Sequence, residues 1–183
     1  MPKVTQEHLD ARRQLIVDAA RACFSRHGFA RTSMADVVTE SGLSTGAIYR
    51  YFKSKDDLVV AVCEQGAAAF PTALTAEAIT GLLEHVRRLA REHGHARLTA
   101  QIWAEAALEP ALGDIVRHQL EALRAAVVAL LPERRAPDAD QIAEAFVALL
   151  AAYSQQLAVR DDVAIEPYTR ALLAIVDNPE SPS

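Results

Sequence analysis

Apolar positions recur at intervals of three and four residues along almost the whole chain, the signature of helices that each bury one face. Ile16, Ala19, Ala20, Cys23 and Phe24 place a first amphipathic helix over about residues 6–27, with Gly28 just past its end. Three helix starts follow in quick succession. Ser33 precedes Met34 with Asp36 three positions on, Ser44 precedes the segment 45–51, and Ser54 precedes Lys55 with Asp57 three positions on. Each serine can accept from a free amide of the next turn, and the acids favour the positive end of their helices. Beyond Leu58 the fourth helix is expected to run to about Phe70, where Pro71 stops it. Further helices are predicted over about 75–92, 95–108, 111–131, 138–159 and 165–177, with breaks at Gly94, Pro110 and Pro132. The stretch 133–140, rich in Pro and charge, reads as a surface loop, and the last residues as a frayed Pro/Ser tail. The expectation is an all-α fold of about nine helices.

The region between the second and third starts carries a more specific pattern. Met34, Val37 and Val38 form an apolar face, Gly42 and Leu43 turn the chain, and Ile48 resumes the core about one and a half turns later. Leu43 and Ile48 would pin one short helix across the other, as in a helix-turn-helix whose second helix enters the major groove. Two short helices packed only for stability would give the same local pattern. The small side chains of Thr45, Gly46 and Ala47 allow close approach to DNA. Thr and Ala can touch a thymine methyl, and the Thr hydroxyl can reach a base or a phosphate. Gly46 would weaken an ordinary helix, so its place here suggests a need for access.

Composition and charge narrow the class. Hydrophobic residues make up 51% of the chain and aromatics 5%, so Ala, Leu and Val fill the interior and helix is favoured. The net charge of −5 divides unevenly: residues 1–60 hold nine bases and seven acids, and the rest hold ten and seventeen. A mildly basic head on an acidic body suits a protein that touches phosphates at one end. Two cysteines, Cys23 and Cys63, support neither a disulfide framework nor a zinc finger. The polar start does not resemble a signal peptide, and no apolar run approaches the ~20 residues of a membrane span. A soluble, cytoplasmic chain is expected. His93-Gly94-His95, with Glu92 and His85 nearby, reads as a polar helix end rather than a metal site. Without a nucleophile elbow, phosphate loop or zinc motif, neither an enzyme nor a metal or cofactor is expected.

The run Ser44-Thr45-Gly46-Ala47-Ile48-Tyr49-Arg50-Tyr51-Phe52-Lys53-Ser54-Lys55-Asp56-Asp57-Leu58 resembles the signature of the TetR family of bacterial regulators. Ile16 to Phe24, Gly28-Phe29 and Thr32 to Gly42 fit the family's preceding helices in order, so the resemblance covers about residues 10–62. It implies a helix-turn-helix domain over 1–54 and a ligand-binding and dimerisation domain over 55–183. It further implies a repressor released from a palindromic DNA operator by a small molecule. On that resemblance Tyr49 and Tyr51 donate hydroxyl hydrogen bonds to phosphates. Lys55 brings charge and a helix terminus to another phosphate, and Ser33 does the same at the second helix. Ser44, which caps the recognition helix, belongs to the same face. Arg50 either reads a guanine or lies along the backbone, and Lys53 reads as a solvated charge.

The remaining helices leave more open. Ile142, Phe146, Leu149, Tyr153 and Leu157 make one apolar face of the helix at 138–159, and Val147, Ala148, Ala151 and Ala152 widen it. Ile165, Tyr168, Leu172, Ile175 and Val176 offer a companion stripe in 165–177. The resemblance implies that these two helices pair with their copies in a homodimer; the central helix of a monomeric bundle would look equally apolar. Phe70, His85, Trp103, Glu105 and Tyr153 are candidate lining residues of an effector cavity. A DNA-binding regulator without an effector, or a helical enzyme, are the alternatives.

Overall fold

The computed structural model describes residues 6–67 and 70–177. Among them are nine α-helices, one 3-10 turn and no strand, which is the all-α architecture expected. α1 (Gln6–His27), α2 (Met34–Ser41) and α3 (Thr45–Tyr51) build a compact head, and α4 (Lys55–Ala67) leads out of it. α5 (Ala76–His93), α6 (His95–Ala106), α7 (Pro110–Leu130), α8 (Ala139–Val159) and α9 (Glu166–Asp177) form the body. Within the body α8 packs against α5, α6, α7 and α9.

Several boundaries differ from expectation for identifiable reasons. α4 is described to Ala67, residues 68 and 69 lie outside the described residues, and Phe70 already has irregular backbone, so the helix does not extend to Phe70. Pro110 opens α7 instead of merely separating two helices, because proline at the first helical position has no amide to leave unpaired. Residues 133–140 are not a loop throughout: Glu133–Asp138 is a 3-10 turn, and α8 starts directly after it. The proposed tail beyond Asp177 lies outside the described residues.

Two apolar clusters hold the molecule. The first joins Ile16, Val17, Ala20, Phe24, Val37 and Ile48 of the head to Leu58, Val59 and Val62 of α4, and to Leu98, Ile102 and Leu112 of the body. The head core therefore runs past residue 54, and α6 is built into it. The second cluster gathers Ile79, Leu83, Phe146, Tyr153, Leu172 and Val176 from α5, α8 and α9. Contrary to the expectation from run lengths, the stretch Arg135–Val159 is by length and composition long and apolar enough to cross a bilayer, with 28% of its most apolar window buried within the chain. Ala148 and Ala152 are exposed along α8, and Val159 is 81% exposed.

Candidate nucleic-acid interface and effector cavity

The head presents its short helices through local capping. The Ser33 hydroxyl accepts from the Asp36 N–H at 3.2 Å, while the Asp36 carboxylate accepts from the Ser33 N–H at 2.8 Å and from its hydroxyl at 2.7 Å. Those bonds hold the Asp36 carboxyl below the usual carboxylate range. Gly42, at φ 65°, ends α2, and Ser44 accepts from the Ala47 N–H at 3.3 Å to open α3. Ile48 is fully buried, and Leu43 and Val38 pack against the same core. One face of α3 is thereby anchored and the other is free: Thr45, Gly46, Tyr49 and Arg50 are exposed, and Tyr49 shows 45% of its surface. Tyr51 is different, because its ring packs against the head core. Ala47 and Ser44 lie at the same helix start, and Lys53 is exposed at the far end.

Gly46 is informative by what surrounds it. An added Cβ there would meet no atom of this chain within 4 Å. The fold does not require glycine at this position.

Lys55 stands at the start of α4, where Ser54 and Asp57 cap one another: the Asp57 N–H donates to the Ser54 hydroxyl and the Asp57 carboxylate accepts from the Lys53 and Ser54 amides. Its ammonium is turned inward, donating to the Phe29 carbonyl at 2.8 Å and lying 4.1 Å from the Phe29 ring centre.

In the body, α4 to α8 line a partly open cavity of about 160 Å³. Phe70 and Trp103 line it; His85, Glu105 and Tyr153 are not among its lining residues. Tyr153 is fully buried in the second cluster, edge-on to Tyr168, and its hydroxyl has no partner among the described residues. His85 bonds with Arg88 at 2.8 Å. Glu105 reaches the other way, to the turn between α1 and α2, where it accepts from the Phe29 and Ala30 amides at 3.1 and 2.7 Å.

The cavity also takes polar groups that sequence inspection passed over: Cys63, His95, Thr99, Gln119 and Ser154. A signal for part of this set existed, because His95, Thr99, Ile102 and Trp103 share one face of α6 at helical spacing. Burial, helped by the nearby Arg21 charge, brings His95 down to about 4, so its imidazole is neutral at pH 7. Burial pushes the Cys63 thiol up to about 11, which keeps it protonated. None of the described residues lining the cavity is charged at neutral pH. The walls are otherwise apolar, from Leu82, Val86 and Ile102 to Leu120, Val147 and Leu150.

Comparison with known proteins bears on the whole arrangement. The family model for bacterial regulatory proteins of the tetR family matches residues 16–62, from α1 into α4. An HTH-type transcriptional repressor of Mycobacterium tuberculosis, Rv1474c, is 31% identical over 141 residues, which cover 68% of this chain and 74% of that protein. An uncharacterised HTH-type transcriptional regulator of Bacillus subtilis, YfiR, is 39% identical over 101 residues, 55% of this chain; the chain spans 42% of the length of that relative. Among solved structures, Salmonella enterica GusR superposes with a TM-score of 0.69 at 23% identity, covering 96% of this chain and 99% of the other. The family model lies on the helices that build the head, and one relative aligns over most of its own length. The chain therefore belongs to the TetR family and is a DNA-binding transcriptional regulator.

Proposed function

We propose that the chain is a homodimeric repressor released from a near-palindromic operator when an uncharged, largely apolar small molecule fills the body cavity. The observation that carries this reading is the cavity itself, walled in part by α4, α6 and α7, three helices whose residues also enter the head core. The name of the mycobacterial relative supports repression. In this reading residues 1–54 form the DNA-binding domain and 55–183 the effector and dimerisation domain.

The exposed face of α3 enters the major groove. Thr45, Gly46 and Ala47 approach the bases, while Tyr49, Tyr51 and Arg50 serve the groove edge, with Ser33, Ser44 and Lys55 at its margins. α8 and α9 pair with their copies, covering the apolar surface that the chain leaves open on α8, and set the two heads on successive grooves ~34 Å apart. α4 works as the lever, with Cys63 at the cavity and its first turn in the head. A neutral ligand suits walls that hold no counter-charge, since burying an unpaired ion is costly. Only a ligand that prefers the DNA-incompetent spacing shifts the balance.

The test is reciprocal. Operator affinity is measured with and without ligand, and ligand affinity with and without operator. A coupling of ~1–3 kcal/mol per site weakens each by roughly 5–150-fold. Identical affinities for a ligand located in the cavity would end the release mechanism while leaving DNA binding intact.

A further inference from the structure

Glu105 grips the backbone that leads into the helix-turn-helix. Its two carboxylate oxygens accept from the Phe29 and Ala30 amides, which lie 76 and 75 positions from it in sequence. On the opposite side, the Lys55 ammonium donates to the Phe29 carbonyl. The peptide unit joining Phe29 to Ala30 therefore has a cation at its oxygen and an anion at its N–H, each aligned with the peptide dipole. Both bonds are charge-assisted and point along the direction in which that peptide is polarised. Gly28 shows how close the grip is. Its φ is +82°, and a Cβ there would come within 3.0 Å of the Glu105 Oε1.

The two helices that hold the turn also wall the cavity: Cys63 lies on α4, and Thr99, Ile102 and Trp103 lie on α6. Trp103 and Glu105 are two residues apart, and Ile102 belongs both to the cavity wall and to the head core. The turn runs directly into Ser33, the cap of α2. Less than one helical turn of α6 thus separates the cavity from a two-point grip on the head.

We propose that Glu105 is a positioning residue for DNA binding: its carboxylate sets the tilt of the head on the body, and movement of α6 on ligand entry loosens that grip. The positioning role stands on the head contact alone; the transmission role rests on the ligand-release reading. A head freed from the grip must be ordered again on DNA, and that cost appears as lost affinity.

The full-length protein allows a direct test, with amide exchange at Phe29 and Ala30 read alongside affinity for a DNA duplex enriched from a random pool by the wild type. E105Q keeps the shape but sets an amide NH2 against a backbone donor. Exchange at the two amides is expected to rise and duplex affinity to fall about tenfold, the scale of one charged hydrogen bond, while exchange across α5 and α8 stays put. Gly28→Ala, which strains a backbone at φ +82° and presses a methyl on the same oxygen, should also weaken the duplex. Combined with E105Q it should cost less than the two losses multiplied, because both act on one contact. A merely structural carboxylate would leave duplex affinity at the wild-type value, or lower it only together with protection of the whole chain. Either result overturns the positioning role, and so does unchanged exchange at Phe29 and Ala30. For transmission the probe is prodan, an uncharged naphthalene dye that brightens in apolar cavities. It should weaken duplex binding by the wild type, yet bind E105Q equally well without affecting the duplex. Equal antagonism in both proteins overturns transmission through Glu105. Prodan that never enters the wild-type cavity removes the ligand-release reading and the transmission with it, leaving the positioning role to stand on the exchange and duplex data.

Discussion

Gly46 and Arg50 sit on the same exposed face of α3 and differ in what their replacement should reveal. Alanine at 46 meets open space, so Gly46→Ala should stabilise the folded chain by up to ~1 kcal/mol through helix propensity. The same methyl should weaken duplex binding, because it stands where a base or phosphate would approach. Urea unfolding and a duplex titration on one sample check both signs, and unchanged affinity would show that the glycine faces solvent rather than DNA. Arg50→Ala distinguishes the two roles left open for that side chain. A phosphate contact predicts a uniform loss across sequences and a salt slope smaller by ~1 per head; a guanine contact predicts relaxed preference at one base pair. His95 carries a pH prediction. Its folded-state value of about 4 lies below that of an unfolded histidine, so the unfolded chain binds more protons as pH falls. Stability should therefore be intact above about pH 6.5 and decline towards pH 4, by at most about 3 kcal/mol. His95→Gln should flatten that part of the stability profile, read by urea midpoints across the pH range.

At the scale of elements, the period of apolar residues located every helix, and the capping serines located the short ones. Ser33, Ser44 and Ser54 bond to the turns they precede, as their places just before those helices implied. The errors fell where two breakers compete. Pro110 can follow a helix or begin one, and Pro137 lies inside a 3-10 turn where a loop was expected. α8 shows why its partner matters: Tyr153 and Phe146 on one side are fully buried, whereas Ala152 next to Tyr153 is exposed. Ala152→Glu should therefore leave the monomer folded, yet place two like charges near one another in a paired α8 seam. The expected outcome is a monomer with native helical content by sedimentation and circular dichroism. A dimer of wild-type affinity would place the interface elsewhere.

For the molecule as a whole, the cavity's lack of charge is the testable property. Prodan should bind, and a cationic or anionic naphthalene of similar size should bind at least about tenfold more weakly, since neither ion finds a counter-charge in the walls. Fluorescence titration decides it, and preferential binding of a charged analogue would show that a group outside the described lining enters the site. The sequence by itself determined what depends on neighbours along the chain: helix positions from the period, caps from Ser and Asp spacing, the helix-turn-helix from Gly42, Leu43 and Ile48, and the family from residues 44–58. Helix caps and turns are local, so a sequence carries them openly. It did not determine which side chains meet across the molecule. Trp103 and Phe70 were recognisable as large apolar residues, but only packing decided that they line a cavity while Tyr153 fills a core. The sequence offers Glu105 as a candidate cavity residue alongside Trp103. Its carboxylate instead spans to Phe29 and Ala30, a partner that no pattern near residue 105 could announce, because it was set by how α6 docks on the head.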